Sequence, residues 1–244
     1  MSGRSIRIAS LVALLVGCEK AGPQPPPAPL EPAPAPLTIR YSADTELSTA
    51  GTNDNSFLVD EDEALFILTD ADVAGGPTDS AKRMTEDVAQ RFREPCPSAT
   101  ESGSQTDELH LTCALRETAA ALIADHAGTV SFAVAVVRAL VAARGDVAIV
   151  SVRAGRATVI PSPAAAPGTA APPTFWLDVE PNETLALVNK DLLGAIGLPG
   201  IQRWAAGPFE DKNALEAAMK AMVDAKSLPD HGPLAVVLFN FVKK

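Results

Sequence analysis

The chain has 244 residues, with 30 acidic side chains against 20 basic ones, a formal net charge of −10, and 21 prolines. A charge of that sign excludes the electrostatic footprint of a nucleic-acid binder and disfavours adhesion to anionic lipid. At 47% hydrophobic residues the chain is long enough to bury a sizeable core, and its length fits one globular domain beside short accessory segments.

The first eighteen residues read as an export leader. Arg4 and Arg7 form a positive n-region, and the apolar run 8–16 is too short to cross a bilayer as a helix. Leu15, Val16, Gly17 and Cys18 then form a lipobox, and the whole resembles a bacterial lipoprotein signal. That resemblance implies cleavage before Cys18, lipidation of its thiol and acylation of the new amino group; an ordinary secretory leader or a short buried helix is the alternative. Two or three acyl chains anchor stably where one does not. Glu19 is not the aspartate that marks inner-membrane retention, so the expectation is a lipid anchor in the cell envelope, at the outer membrane. Loss of Arg4 and Arg7 takes the charge from −10 to −12.

Residues 18–37 hold the lipidated cysteine and then AGPQPPPAPLEPAPAPL, a composition that favours extended polyproline geometry and buries no core. At about 3 Å per residue this tether reaches up to about 50 Å from the lipid. The alternative is a Pro-rich ligand for a partner domain. The domain proper is expected over 38–244. Cys96 and Cys113 remain in a compartment that permits disulfides, so one bridge closing the polar loop between two helices is expected, against the alternative of two buried thiols.

Within the domain, strands are predicted over 37–41, 56–59 and 64–69, the last two joined as a hairpin by Asp60, Glu61, Asp62 and Glu63. Met84, Val88 and Phe92 recur every fourth residue, predicting a helix over 80–94. A second helix is predicted over 111–127, with Leu115, Ala119, Leu122 and Ile123 on its apolar face. Val- and Ile-rich strands follow at 131–137, 146–152 and 157–160, then a Pro/Ala-rich loop at 161–173. A strand at 184–188, a helix at 213–226 and a last strand at 234–242 complete the order. That order suits an α+β layered fold better than alternating parallel units.

In this order the chain resembles the metal-dependent Ser/Thr protein phosphatases of the PPM type (type 2C). TNDNSFLVDEDEALFILTDADVAGG resembles their opening hairpin ending in Asp-Gly-x-Gly-Gly, and GTVSFAVAVV their Gly-Thr-Thr strand. VRAGRATVI sits where they carry Val-Gly-Asp-Ser-Arg, EPNETLALVNKDLL resembles their Pro-Gly-Asp turn, strand and Ser-Asp-Gly-Leu, and PDHGPLAVVLFNF their closing Asp-Asn and strand. The resemblance implies a layered α-β-β-α sandwich with carboxylates from separate loops holding two divalent cations. Hard cations of this kind need several oxygen ligands with negative charge.

Carried over position by position, the resemblance puts Asp70 on the bridging aspartate and Asp230 on the aspartate of the closing pair. Asn55 falls on an aspartate position, Asp54 on a glutamate, and Lys190 on the aspartate of Ser-Asp-Gly, unless a one-residue shift brings Asp191 there. Ala71, Asp72, Val73 and Ala74 replace the glycine-rich turn. A lysine where a cation must sit repels it by several kcal/mol at about 4 Å and an effective dielectric near 20. The expectation is therefore a degenerate metal site, with the Lys190 ammonium between Asp70 and Asp230 and no metal cofactor; the alternative leaves Lys190 in solvent. Arg156 is expected either to contact a phosphate or to pair with a surface acid.

His110, His126 and His231 match no zinc spacing, and no Gly-x-Ser-x-Gly is present. The expected function is a membrane-anchored pseudophosphatase that binds a protein or a phosphorylated or acidic ligand. A weakly active Mg- or Mn-dependent phosphatase and a structural envelope lipoprotein are the alternatives.

Overall fold

The computed structural model describes residues 37–46, 54–72, 80–95, 106–125, 129–136, 139–163, 173–207, 212–224 and 232–243. The leader, Cys18, the tether, Cys96, Asp230, His126, His231 and most of the Pro/Ala-rich loop lie outside the described residues. Among them, no helix is long and apolar enough to cross a membrane.

Among the described residues, ten strands form two antiparallel sheets. The strands are β1 Leu37–Glu46, β2 Asn55–Asp60, β3 Leu65–Asp72, β4 Thr129–Val136, β5 Leu140–Arg144, β6 Val147–Arg153, β7 Arg156–Ile160, β8 Phe175–Trp176, β9 Thr184–Asn189 and β10 Leu234–Lys243. One sheet runs β1-β10-β9-β6-β7 and the other β2-β3-β4-β5-β8. Helices α1 Ser80–Arg93 and α2 Asp107–Asp125 belong to the second sheet's side; α3 Lys190–Ala205 and α4 Lys212–Asp224 belong to the first's. The result is the α-β-β-α layering expected from the motifs.

The apolar runs explain the layers. In β3, Phe66 and Leu68 face the opposite sheet, while Leu65 and Ile67 face α1 and α2, so both faces are buried and the run does not alternate with polar residues. In β10, Ala235, Val237, Phe239 and Phe241 point into the sandwich, and Leu234, Val236 and Leu238 lie under Met219 of α4 and Ile201 of α3. At the centre, the Phe66 and Phe239 rings stack with centroids 4.4 Å apart and planes within 6°.

The predicted hairpin is β2–β3, with Asp60 paired to Leu65. Asp60 Oδ1 accepts from the backbone N–H groups of Asp62 and Glu63, and Asp60 and Glu63 both bind the Arg93 guanidinium at the end of α1. The acidic turn thus fastens the hairpin to a helix. Beside it, the buried Thr69 hydroxyl contacts the Ser56 and Ala81 carbonyls and the Thr85 hydroxyl.

Several elements differ from the sequence prediction: β1 extends to Glu46 instead of ending at 41, and β8 forms at Phe175–Trp176 where no element was predicted. The helix α2 starts at Asp107 rather than at 111. Strand β5 appears where no element was predicted, entered through Ala139 at φ 60°. Helix α3 occupies KDLLGAIGLPGIQRWA, whose glycines and proline argue against a helix. The structure resolves that conflict with a break: Gly197 takes φ 61°, ψ 179°, and the helix resumes around Pro199. Gly200 is needed because a Cβ there would lie 2.4 Å from the Ile196 Cβ.

Candidate functional site

The described carboxylates among those named from sequence, Asp54, Asp70 and Asp191, lie toward one end of the sandwich because the strand registers put them there. Asn55 pairs with Asp70 across β2–β3, and Asp70 pairs with Ser131 across β3–β4. Phe132 pairs with Arg144, and the turn at Gly145 and Asp146 carries the chain into Val147, which pairs with Asn189 at the end of β9. Asp54, Asn55, Asp70, Asp146, Lys190 and Asp191 therefore share this end.

Asn189 organises it. It is fully buried, its Oδ1 accepts from the Leu192 and Ala235 backbone N–H groups, and its Nδ2 donates to the Pro233 carbonyl at 2.5 Å. One side chain thus caps α3 and ties the start of β10 to the end of β9. Two residues on, Asp191 lies against Gly232: a Cβ on that glycine would sit 1.8 Å from Asp191 Oδ2. Asp191, not Lys190, is the residue that meets the segment following Asp230.

Of the two outcomes expected for Lys190, the structure shows the solvent-exposed one. Its ammonium pairs with Asp146, its backbone N–H donates to the Asp146 carbonyl at 2.7 Å, and the two side chains are 61% and 56% exposed. As the first residue of α3 its main chain is already held at Asp146, so the side chain turns to the neighbouring carboxylate in solvent, where pairing costs little desolvation. It is a solvent-exposed surface pair; Asp230 lies outside the described residues.

At one position the described donor set departs from a divalent-cation cage. Asn55 is 8% exposed and neutral where the fold places it opposite Asp70, so it supplies no charge to offset a metal. No three His, Cys, Asp or Glu side chains come together there to hold an ion, among the described residues.

Arg156 also departs from its expected role. Strand β6 leaves the carboxylate end at Val147 and reaches Arg153, which pairs with Arg156 across the next hairpin. Six residues of strand amount to about 20 Å, so Arg156 stands at the opposite end and contacts no phosphate held by Asp70.

That opposite end holds a network the sequence reading missed. Glu183, 3% exposed, accepts from Ser151 Oγ, from Arg153 Nε and Nη2 at 3.0 and 2.8 Å, and from the Glu180 backbone N–H. Arg153 also bonds the Glu180 carboxylate and the Asp178 carbonyl. The hydrogen bonds that the Arg153 guanidinium donates to Glu183 hold it above its ordinary pKa. Only the buried position of Glu183 would have announced this network, and burial is not written in a lone Glu–Thr step. Elsewhere, Cys113 on α2 is disulfide-bonded, and Arg116 lies 3.7 Å from its Sγ.

No protein-family model matches the chain, and no curated protein matches it in sequence. Solved structures do. The chain is similar to PppA, a regulatory component of the type VI secretion system in Pseudomonas aeruginosa, at 12% identity over 84% of this chain and 98% of that one, with TM-score 0.62. It is similar to the PPM Ser/Thr phosphatase MsPP from Mycobacterium smegmatis, solved with cacodylate, at 15% identity over 82% and 97%, TM-score 0.62. The catalytic domain of the Ser/Thr phosphatase PstP, solved with 2 manganese ions, matches at 14% identity over 85% and 100%, again with TM-score 0.62. Register, layering and these likenesses agree: the chain has the fold of the PPM-type Ser/Thr protein phosphatases.

Proposed function

We propose that the chain is a lipid-anchored binding module of the bacterial cell envelope, built on a PPM phosphatase fold that has given up metal-dependent hydrolysis. The observation that carries this reading is the neutral, buried Asn55 paired with Asp70, where two charged ligands would be needed. The lipobox and Pro-rich tether support the anchoring half: a tethered domain meets envelope partners at raised effective concentration. The partner is a protein or a phosphorylated or acidic ligand, and no metal cofactor is required.

The test is manganese titration calorimetry on the detergent-solubilised full chain beside the variant Asn55→Asp. The natural chain is expected to give no binding heat and the variant to gain micromolar binding. Micromolar binding by the natural chain would overturn the proposal.

One observation favours a second reading, a divergent Mg- or Mn-dependent phosphatase. Asp191 against Gly232 lies beside the segment that follows Asp230, so Asp54, Asp70, Asp191 and Asp230 could supply an alternative acid set. Manganese-dependent hydrolysis of p-nitrophenyl phosphate, abolished by Asp70→Ala, would establish it. A structural envelope role would be supported by loss of envelope integrity on deletion.

A further inference from the structure

Among the described residues, β7 of the hairpin β6–β7 forms one edge of the first sheet. Its turn residues Ala154 and Gly155 have φ 49° and 72°, the positive pair of a two-residue type I′ turn. In such a hairpin the flanking pair, Arg153 and Arg156, exchanges both ladder hydrogen bonds, and the pattern alternates along the strand. Ala157 and Val159 therefore aim their N–H and C=O groups away from β6. Strand β7 has no second strand partner among the described residues, and Val159 is 42% exposed.

Beside this edge opens a groove of about 490 Å³, lined by Arg156, Thr158 and Ile160 of β7 together with Ser151, Leu177 and Asp178. Arg156, Thr158 and Ile160 are alternate residues on one face of the strand. A segment added alongside β7 would project its own alternate side chains over the same groove. At one end of the groove stands Arg156, a guanidinium with no ion-pair partner among the described residues, whereas neighbouring Arg153 is saturated by Glu183 and Glu180. At the other end stand Ile160 and Leu177.

We propose that β7 is a docking edge for an extended segment of a protein partner, one that carries an acidic side chain for Arg156 and apolar side chains two and four residues away. Main-chain bonds to Ala157 and Val159 supply affinity without sequence preference; Arg156 and the Ile160–Leu177 floor supply specificity. This rests on the binding-module reading and names its partner chemistry. The two fail separately, because manganese binding is read at the carboxylate end and does not involve β7.

The test is selection of a random octapeptide phage library on the detergent-solubilised full chain. Enriched peptides are expected to share an acidic residue with apolar residues at two and four positions from it. A fluorescein-labelled selected peptide should bind Val159→Pro at least tenfold more weakly. That change deletes an outward N–H, leaves the β6 ladder intact and is tolerated on an edge strand, so circular dichroism and the urea midpoint should hold. Selection on Arg156→Glu should yield basic peptides in place of acidic ones. Failure to enrich a motif, or equal binding to the natural chain and Val159→Pro, would overturn the proposal. So would sedimentation showing a dimer of the natural chain that Val159→Pro dissociates, since the edge would then be covered by a second copy.

Discussion

Replacing Asn189 by alanine should be among the costliest single changes at the acidic end. The side chain is fully buried and makes three hydrogen bonds to main-chain groups of Leu192, Ala235 and Pro233. Loss of the helix cap costs about 1 kcal/mol. The two remaining bonds leave a buried N–H and a buried C=O without their partner, at about 1 kcal/mol each or somewhat more. The expected loss is about 3 kcal/mol, which at a urea slope of about 2 kcal/mol per molar moves the midpoint down by about 1.5 M.

The assay is urea unfolding of the full chain followed by circular dichroism, with equal slopes confirming that the two midpoints are comparable. Asn189→Asp provides the internal control. It keeps both acceptor contacts and the cap but places a carboxylate oxygen against the Pro233 carbonyl, so it should lose part of the 3 kcal/mol and not all of it. A midpoint shift below about 0.3 M for Asn189→Ala would refute the argument, because three buried main-chain groups would then have found other partners at no cost.

Phe239→Ala removes a ring that is 1% exposed and stacked on Phe66, and should cost about 3–5 kcal/mol in the same urea assay. Lys190→Ala breaks only a solvated pair with Asp146 and should change stability by less than about 0.5 kcal/mol. A loss of several kcal/mol there would mean that the lysine does replace a cation. For Asp60, burial pulls the carboxyl pKa up, but the Glu63 N–H, the Arg93 guanidinium and the Asp62 N–H outweigh it and hold the group below its ordinary 3.8. A depressed acid stabilises above its unfolded pKa and loses that contribution as pH falls through the folded value. Asp60→Asn should therefore cost about 0.5–1 kcal/mol near pH 6, a cost that shrinks as pH falls through the depressed folded value, read from urea midpoints against pH.

The fold was legible where one periodicity governed a whole element. Met84, Val88 and Phe92 sit one turn apart and all are buried on α1, and the doubly buried runs of β3 and β10 read as strands because no polar residue interrupts them. Helix α3 was hidden because Gly194, Gly197, Pro199 and Gly200 each speak against a helix locally, while the packing of Leu192 and Ile201 under the sheet decides the outcome. Strand β5 was hidden for the opposite reason: LVAAR sits in a long Ala/Val-rich stretch with no turn chemistry to divide it, and the break at Ala139 is a backbone conformation. At the site, the shared end of Asn55 and Asp70 followed from the hairpin. Whether Lys190 or Asp191 faces the closing segment did not, because adjacent residues at a helix start point about 100° apart and spacing alone cannot say which is inward.

The internal ties of the sandwich bear on how such a fold can part from its chemistry. Asn189 closes the acidic end with a neutral amide, Thr69 and Thr85 fasten α1 to β3 with hydroxyls, and Glu183 locks the far end against Arg153. None of these ties passes through Asp54, Asn55 or Asp191. These three ties and the acid positions named from the resemblance are thus different residues. By the same separation, substitutions along β7 should alter what the chain binds while leaving the Asn189 and Glu183 ties in place. Urea midpoints and peptide affinities measured on one set of variants should therefore vary independently, and a strict correlation between them would show that edge and core are one cooperative unit.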